Sequence, residues 1–314
     1  MSKLICIGEC LIDFLPNGEE LSYCAKAGGA PANVCACVAK LGGEACYLGK
    51  VGKDIFADFL VEKMRACNID TRFVIRSDEA KTGLAFVTLD KSGDRTFSFY
   101  RDPSIDMLLT ENEVDQSMFD KGDILHFCSV DLIESPVKYA HKKAIACAMR
   151  NDTLVSFDVN VRLPLWKTPD DCKKAIFEFL PFANILKITD EELEFLTNIT
   201  DEKLAVEKIL QAAQHCSLVL LTKGSKGVTV YDKSLESFSF DAVAVKVVDT
   251  TGAGDCFIGC VLHKIIADKL PLTLKAIAPA VEFAIFGCGV IIGRKGALEQ
   301  MPTAKEIADL QAKF

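Results

Sequence analysis

Ile185-Leu186-Lys187-Ile188, then the amphipathic run over 203–215, then Leu218-Val219-Leu220-Leu221-Thr222, reads as strand, helix and strand in succession. Both flanking runs are apolar nearly throughout, which suits parallel strands covered on both faces. Working outward, runs of the same kind recur at 4–8, 45–49, 124–128 and 154–158. Helical patterns fall between them at 31–41, 56–67, 136–150 and 255–267. This β-α-β-α rhythm predicts an α/β fold, doubly wound, with a mostly parallel central sheet flanked by helices.

One stretch breaks the rhythm. Residues 73–75, 83–89 and 96–100 read as strands in series with no helix between them, and Ser92-Gly93 supplies a turn. Residues 11–27 hold similar short strands around Pro16-Asn17-Gly18. The two inserted segments, about 11–27 and 73–103, are expected to pair as a small antiparallel β lid over one end of the main sheet. Neither a linker nor a repeat is visible, so 1–314 reads as a single domain.

The chain has 314 residues, enough to bury about three-quarters of its unfolded surface. Half of them are hydrophobic and 25% are charged, which excludes disorder as a description of the whole. Thirty-six Lys and Arg stand against 44 Asp and Glu, a net charge of −8. Duplex nucleic acid needs a basic face, and none is visible. No nucleic-acid partner is therefore expected, and a phosphate ligand must rely on backbone donors, a few cations and a metal.

Fourteen cysteines and four histidines occur at irregular spacings, without a Cys-x-x-Cys pair. The start, Met1-Ser2-Lys3-Leu4-Ile5-Cys6-Ile7-Gly8, runs straight into a strand and does not read as a signal peptide. Free thiols in a reducing cytoplasm are the expectation. Apolar windows read as too short or too interrupted to span a bilayer, so no membrane partner is expected.

Two motifs carry chemistry. In Asp249-Thr250-Thr251-Gly252-Ala253-Gly254-Asp255, three residues without bulky side chains precede a helix. Their N–H groups, with the positive end of the helix dipole, would make an anion hole. Asp255 at its mouth would accept a proton from an attacking hydroxyl. The bare tetrapeptide could equally just start a helix, with an acid favoured in the first turn. In Gly28-Gly29-Ala30-Pro31-Ala32-Asn33, two glycines permit close backbone approach. Asn33 offers a donor and an acceptor suited to sugar hydroxyls, although a plain strand-to-helix turn would read the same way. A Walker-type loop, a dinucleotide fingerprint, a Gly-x-Ser-x-Gly elbow and the protein-kinase set are all missing.

Together and in this order, the two motifs resemble the signatures of the ribokinase-like (PfkB) carbohydrate kinases, and the resemblance covers the whole chain. Gly42 and Gly52 follow the first motif at the family spacing. Four further stretches are similar to the fructokinase branch: Gly8-Glu9-Cys10-Leu11-Ile12-Asp13-Phe14, Phe97-Ser98-Phe99-Tyr100-Arg101, Phe157-Asp158-Val159-Asn160-Val161-Arg162, and Lys187-Ile188-Thr189-Asp190-Glu191-Glu192-Leu193.

The resemblance implies a fold, a reaction and a site. The reaction is ATP-dependent phosphorylation of D-fructose to fructose 6-phosphate. Asp255 takes the base position, Gly252, Ala253 and Gly254 the anion hole, and Arg162 a place near the sugar and the transferring phosphate. Asp13, Gly28, Gly29, Asn33 and Arg101 fall on the sugar side. Lys187, Thr189, Glu192, Thr222, Gly224 and Gly227 fall on the nucleotide side, with Glu192 linked through water to Mg²⁺. Asp249 and Thr251 match ligands of a monovalent cation, K⁺. Apart from the resemblance, the lid strands would turn Phe97, Phe99 or their alternating partners outward as an apolar face, which predicts a homodimer through the lids. Another sugar or nucleoside, such as ribose or 2-keto-3-deoxygluconate, or an inactive sugar- or nucleotide-binding regulator, is the alternative.

Some positions depart from the family pattern. Cys35, Cys256 and Cys260 stand where small residues are usual; with too few ligands for a metal, they read as small buried hydrophobes. Ile285 replaces an Asn near the adenine, Gln300 replaces a small residue near the cation, and Thr189 replaces an Asn, a change typical of fructokinases.

Overall fold

A computed structural model describes residues 2–89 and 95–314. In chain order its strands are β1 (Leu4–Ile7), β2 (Leu11–Pro16), β3 (Tyr23–Gly28), β4 (Ala45–Gly52), β5 (Val74–Ser77), β6 (Leu84–Leu89), β7 (Arg95–Tyr100), β8 (Ile124–Cys128), β9 (Leu154–Asp158), β10 (Ile185–Thr189), β11 (Leu218–Thr222), β12 (Val228–Asp232) and β13 (Ser237–Phe240). The helices are α1 (Ala30–Lys40), α2 (Ile55–Ala66), α3 (Pro136–Arg150), α4 (Pro169–Phe179), α5 (Asp190–Thr197), α6 (Glu202–Ala212), α7 (Ala253–Asp268), α8 (Leu274–Ile291) and α9 (Ala304–Gln311).

Nine strands form the main sheet in the order β13-β12-β11-β10-β9-β8-β1-β4-β5. From β5 to β11 every pairing is parallel; β12 and β13 close one edge antiparallel. Strand alternation divides the core between the two faces. Leu4 and Cys6 of β1 pack with Val34 and Val38 of α1, Val261 of α7 and Val281 of α8. Ile5 and Ile7 of the same strand join Phe127, Phe157 and Phe179 on the other side. The uniformly apolar strands of the sequence are thus covered on both faces, as the fold class requires.

The remaining strands make the small sheet, in the order β3-β2-β6-β7. It joins the two inserted segments. Its hairpins β2–β3 and β6–β7 are antiparallel, and the joint between them, β2 against β6, is parallel. One expected boundary is corrected: the strand near 73–75 pairs with β4 and extends the main sheet. Its chain direction follows α2, so it completes another β-α-β crossover rather than a hairpin. The expected turn at Ser92-Gly93 lies outside the described residues.

A second correction concerns α8. Its 18 residues have a mean hydropathy of 1.7, long and apolar enough to cross a bilayer by that measure alone, contrary to the reading of the apolar windows. The helix is instead part of the core, with Ile277, Ala280, Val281 and Ala284 fully buried. A helix apolar nearly all round belongs inside a large fold as readily as in lipid.

Candidate active site

The carboxyl ends of β1, β9 and β10, the head of α7 and the inner face of the lid converge on one cleft, where open α/β sheets hold ligands. The loop before α7 is tied down by Asp249. The N–H and Oγ1 of Thr251 donate to its Oδ1 at 2.8 and 2.6 Å, and the Gly296 N–H donates to Oδ2 at 3.1 Å. Gly252 then turns left-handed, φ 76°, as N-cap of α7. A Cβ there would come within 2.8 Å of the Ala297 side chain, so glycine meets both the backbone and the space requirement.

Of the three amides expected to form an anion hole, one is engaged within the fold. The Ala253 N–H donates to the Thr250 carbonyl at 3.2 Å, closing a turn. Among the described residues, no acceptor faces the N–H groups of Gly254 and Asp255. These two first-turn amides, with Gly252, are the donors that remain. The Lys187 ammonium adds a full charge: it lies 3.0 Å from the position a Cβ would take on Gly254.

Asp255 and Asn33 meet directly. Asn33 sits in the first turn of α1, its N–H donating to the Gly29 carbonyl at 2.9 Å. Its Nδ2 donates to Asp255 Oδ2 at 2.8 Å, while its Oδ1 is buried without a partner. The two motifs read separately in the sequence therefore build one site. Burial raises the Asp255 carboxyl above its ordinary range, opposed by the Asn33 bond and by the charges of Lys187 and Arg162.

Asp13 projects from β2 on the same side. A Cβ on Gly28 would fall 2.0 Å from its Oδ2, so the glycine makes room for this carboxylate. Burial pushes Asp13 up to about 7, with Arg162 pulling down and Asp255 pushing up. Arg162, after β9, is exposed and, among the described residues, bonds only its neighbour's carbonyl, Val161, at 2.9 Å. Its charge acts on both carboxylates. Gly29 is the N-cap of α1 at φ 115°, and a side chain there would meet the Glu9 carbonyl at 2.4 Å.

On the other side, Thr189 and Glu192 form the capping box of α5. Glu192 Oε2 accepts from the Thr189 N–H at 2.9 Å and Oε1 from the Val161 N–H at 2.8 Å, which links α5 to the Arg162 loop. Thr222 ends β11, and Gly224 and Gly227 bracket the next turn at φ 54° and 89°. A Cβ on Gly227 would strike the Phe240 carbonyl at 2.0 Å.

Arg101, expected on the sugar side, is largely engaged by acids of the protein itself. Its guanidinium is buried and ion-paired to Asp106 and Asp131, both fully buried carboxylates. Only Nη1 is left unpartnered. The reason is electrostatic: Glu9, Asp106 and Asp131 bring three acids to this spot, and one guanidinium holds them. Sequence reading gave none of the three a role. Asp158 was also given no role; it ends β9 and pairs with Lys187 at 3.0 Å, both nearly fully buried. An acid at the carboxyl end of an apolar strand is the signal that marks it. Burial raises it to about 7, opposed by Lys187.

A cavity of about 830 Å³ opens beside this cleft rather than on it. Phe99, Arg101, Leu132, Trp166 and Lys174 line it, and it meets the site residues only at Arg101. The chemistry follows the carboxylate pair, not the cavity.

Comparison with known proteins agrees with this fold. The family model for pfkB family carbohydrate kinases matches residues 1–304. A probable fructokinase-4 of Arabidopsis thaliana is 38% identical over 317 aligned residues, 98% of this chain and 96% of that one. A fructokinase from Xylella fastidiosa, crystallised with bound ATP, superposes with a TM-score of 0.91 at 31% identity, covering 99% of this chain and 98% of that one. A fructokinase from Vibrio cholerae O395, crystallised with fructose, ADP and calcium, gives 0.90 at 31% identity and 99% of both chains. With both signatures meeting at Asp255 and the match running nearly end to end, this chain belongs to the pfkB family of carbohydrate kinases.

Proposed function

We propose that the protein transfers the γ-phosphoryl group of ATP to the C6 hydroxyl of D-fructose. The observation that carries this reading is the Asn33–Asp255 bond, which sets a sugar-side amide and a basic carboxylate at the mouth of an anion hole. The fructokinase relatives supply the substrate.

Asp255 accepts the C6 hydroxyl proton as that oxygen attacks the γ-phosphorus in line. The new O–P bond forms as the bond to the β-phosphate oxygen breaks, and ADP leaves with that electron pair. The N–H groups of Gly252, Gly254 and Asp255 with Lys187 and Arg162 face the charge that spreads over the transferring oxygens. Asp13, Gly28, Gly29 and Asn33 hold sugar hydroxyls, and Asn33 Oδ1 awaits a donor. Arg101 contributes its remaining Nη1 from behind. Thr222, Gly224 and Gly227 bound the nucleotide.

Asp158, Glu192 and Asp255 crowd carboxyl charge around the single ammonium of Lys187. This oxygen donor set fits Mg²⁺. Glu192 would hold the ion through water, and the ion would supply neutralisation of the ATP phosphates. K⁺ would sit at Asp249 and Thr251 and brace the turn ahead of Gly252. The fourteen free cysteines support a reducing cytoplasmic setting.

The lid supports a homodimer. Its outer face carries Phe14, Tyr23, Phe86 and Tyr100 in ring contact, with Phe14 stacked on Phe86 at 4.6 Å and Tyr100 66% exposed. Aromatic residues gathered on one sheet face, half-covered by Phe56 of α2, favour a partner surface. Sedimentation equilibrium checks it: a 34.3 kDa monomer with fructose present refutes the dimer.

ADP release measured over a panel of fructose, ribose, 2-keto-3-deoxygluconate and nucleosides tests the reaction. Fructose is expected to give the highest kcat/KM. A higher value for any other acceptor overturns the substrate, and no turnover on any of them overturns the kinase.

A further inference from the structure

Helices α1 and α7 meet directly behind the Asn33–Asp255 pair, and thiols make the contact. Cys37 lies one turn beyond Asn33, Cys256 follows Asp255, and Cys260 lies one turn further along α7. All three are fully buried, and their sulfur atoms lie within 4.8 Å of one another. Cys37 Sγ and Cys260 Sγ are 3.7 Å apart, and the Cys37 thiol reaches the Cys256 carbonyl at 3.6 Å. A fourth thiol, Cys288 of α8, adjoins Cys256 and donates to the Ala253 carbonyl at 3.4 Å.

Two glycines let the sulfurs converge. A Cβ on Gly259 would fall 2.6 Å from Cys37 Cβ, and one on Gly287 would fall 2.7 Å from Cys260 Sγ. The spacing matches a metal–thiolate polyhedron: Zn–S bonds of about 2.3 Å imply sulfur–sulfur edges of about 3.8 Å. Thiolate donors select soft ions.

We propose that Cys37, Cys256 and Cys260 form a capture site for one soft d¹⁰ metal ion of the Zn²⁺, Cd²⁺ and Cu⁺ class, and that filling it switches the phosphotransfer off. Each thiol that coordinates gives its proton to solvent as its sulfur–metal bond forms, with no change of oxidation state. A divalent ion on three thiolates leaves one net negative charge behind Asp255. It also draws α1 and α7 together at the sulfur triangle, which moves Asn33 against Asp255. This switching half rests on the role given to Asp255 above. A displacement of about 1 Å at a reacting group costs roughly a hundredfold in rate.

The test uses the full-length reduced protein carrying Cys24→Ser, which removes the one exposed thiol. Cd²⁺ is titrated while thiolate-to-metal absorption, proton release and fructose-dependent turnover in excess Mg²⁺ are followed. One tight Cd²⁺ per chain, with charge-transfer absorption and about a hundredfold loss of turnover, is expected. Cys37→Ala and Cys260→Ala, singly and combined, should lose the tight equivalent, keep metal-free turnover and stay active in Cd²⁺. Cys256→Ala gives an independent probe of the same triangle should the double variant not fold. Absence of a tight equivalent, or its persistence in these variants, overturns the site. Tight binding with unchanged turnover overturns the switch. Absorption is read without substrate, so a failure of the kinase reading shows separately as absent metal-free turnover.

Discussion

Asn33→Ala isolates the bond between the two motifs. The wild-type contact is a 2.8 Å hydrogen bond from a buried amide to an ionised carboxylate. Bonds of this charge-assisted kind are worth about 1.5–3 kcal/mol. In the variant the Asp255 carboxylate loses that stabilisation while burial continues to oppose its charge. At 1.36 kcal/mol per decade, kcat at neutral pH should fall about tenfold to a hundredfold. The sign of the pH effect follows: the Asn33 bond favours the charged form, so its loss raises the acid limb of the kcat profile. Raising the pH should then recover part of the lost rate. The assay is kcat against pH at saturating fructose and ATP, which separates the effect from sugar binding. An equal loss at every pH, or an acid limb moved downward, refutes the argument that Asn33 tunes the base.

Asp255→Asn should lower kcat by about 10²–10⁴ and leave fructose binding by calorimetry intact; a variant above a tenth of wild-type kcat removes Asp255 from the base role. Gly28→Ala drives a methyl group into Asp13 Oδ2, so the fructose KM should rise strongly with little change in the ATP KM; Asp13→Ala should share that signature, and an unchanged fructose KM in both would move the sugar elsewhere. Lys187→Met strands the Asp158 carboxylate in the core; breaking such a pair costs about 3–5 kcal/mol, read as a lowered Tm that Asp158→Asn in the same chain should partly restore. Burial, with Asp131 nearby, raises Glu9 to about 8. The folded chain therefore holds a proton that the unfolded chain releases, so stability is present at low pH and is lost as pH rises towards 8; Glu9→Gln should flatten Tm against pH over that window, and an unchanged slope would remove Glu9 as its source.

The fold was legible because its strands are short apolar runs with helical patterns between them. β8, β9 and β11 coincide with the runs read at 124–128, 154–158 and 218–222. The strand at 74–77 was assigned to the wrong sheet because a four-residue run, none of it fully buried, carries no record of which edge it joins. The site was legible as two motifs but not as one bond, since nothing local in Gly28–Asn33 reports its distance from Asp255. The partners of Arg101 were hidden for a related reason. A lone arginine shows its charge in the sequence, while Asp106 and Asp131, which occupy that charge, reach it only through the tertiary fold. The thiol triangle escaped because Cys37 sits on a different helix from Cys256 and Cys260, and α8 is what closes the space around them.

The Asn33–Asp255 bond spans 222 positions of chain, and this has a consequence for how the molecule is made. During synthesis α1 emerges early and α7 late, so the apolar side of α1, with Val34 and Val38, waits uncovered until most of the polypeptide has left the ribosome. Contacts of such long range close slowly, and an open apolar helix face invites association in the interval. Catalytic competence should consequently appear abruptly, with the docking of α7, rather than grow in step with secondary structure. Nascent chains stopped before residue 253 should bind hydrophobic-surface chaperones, and chains extended through α8 should release them.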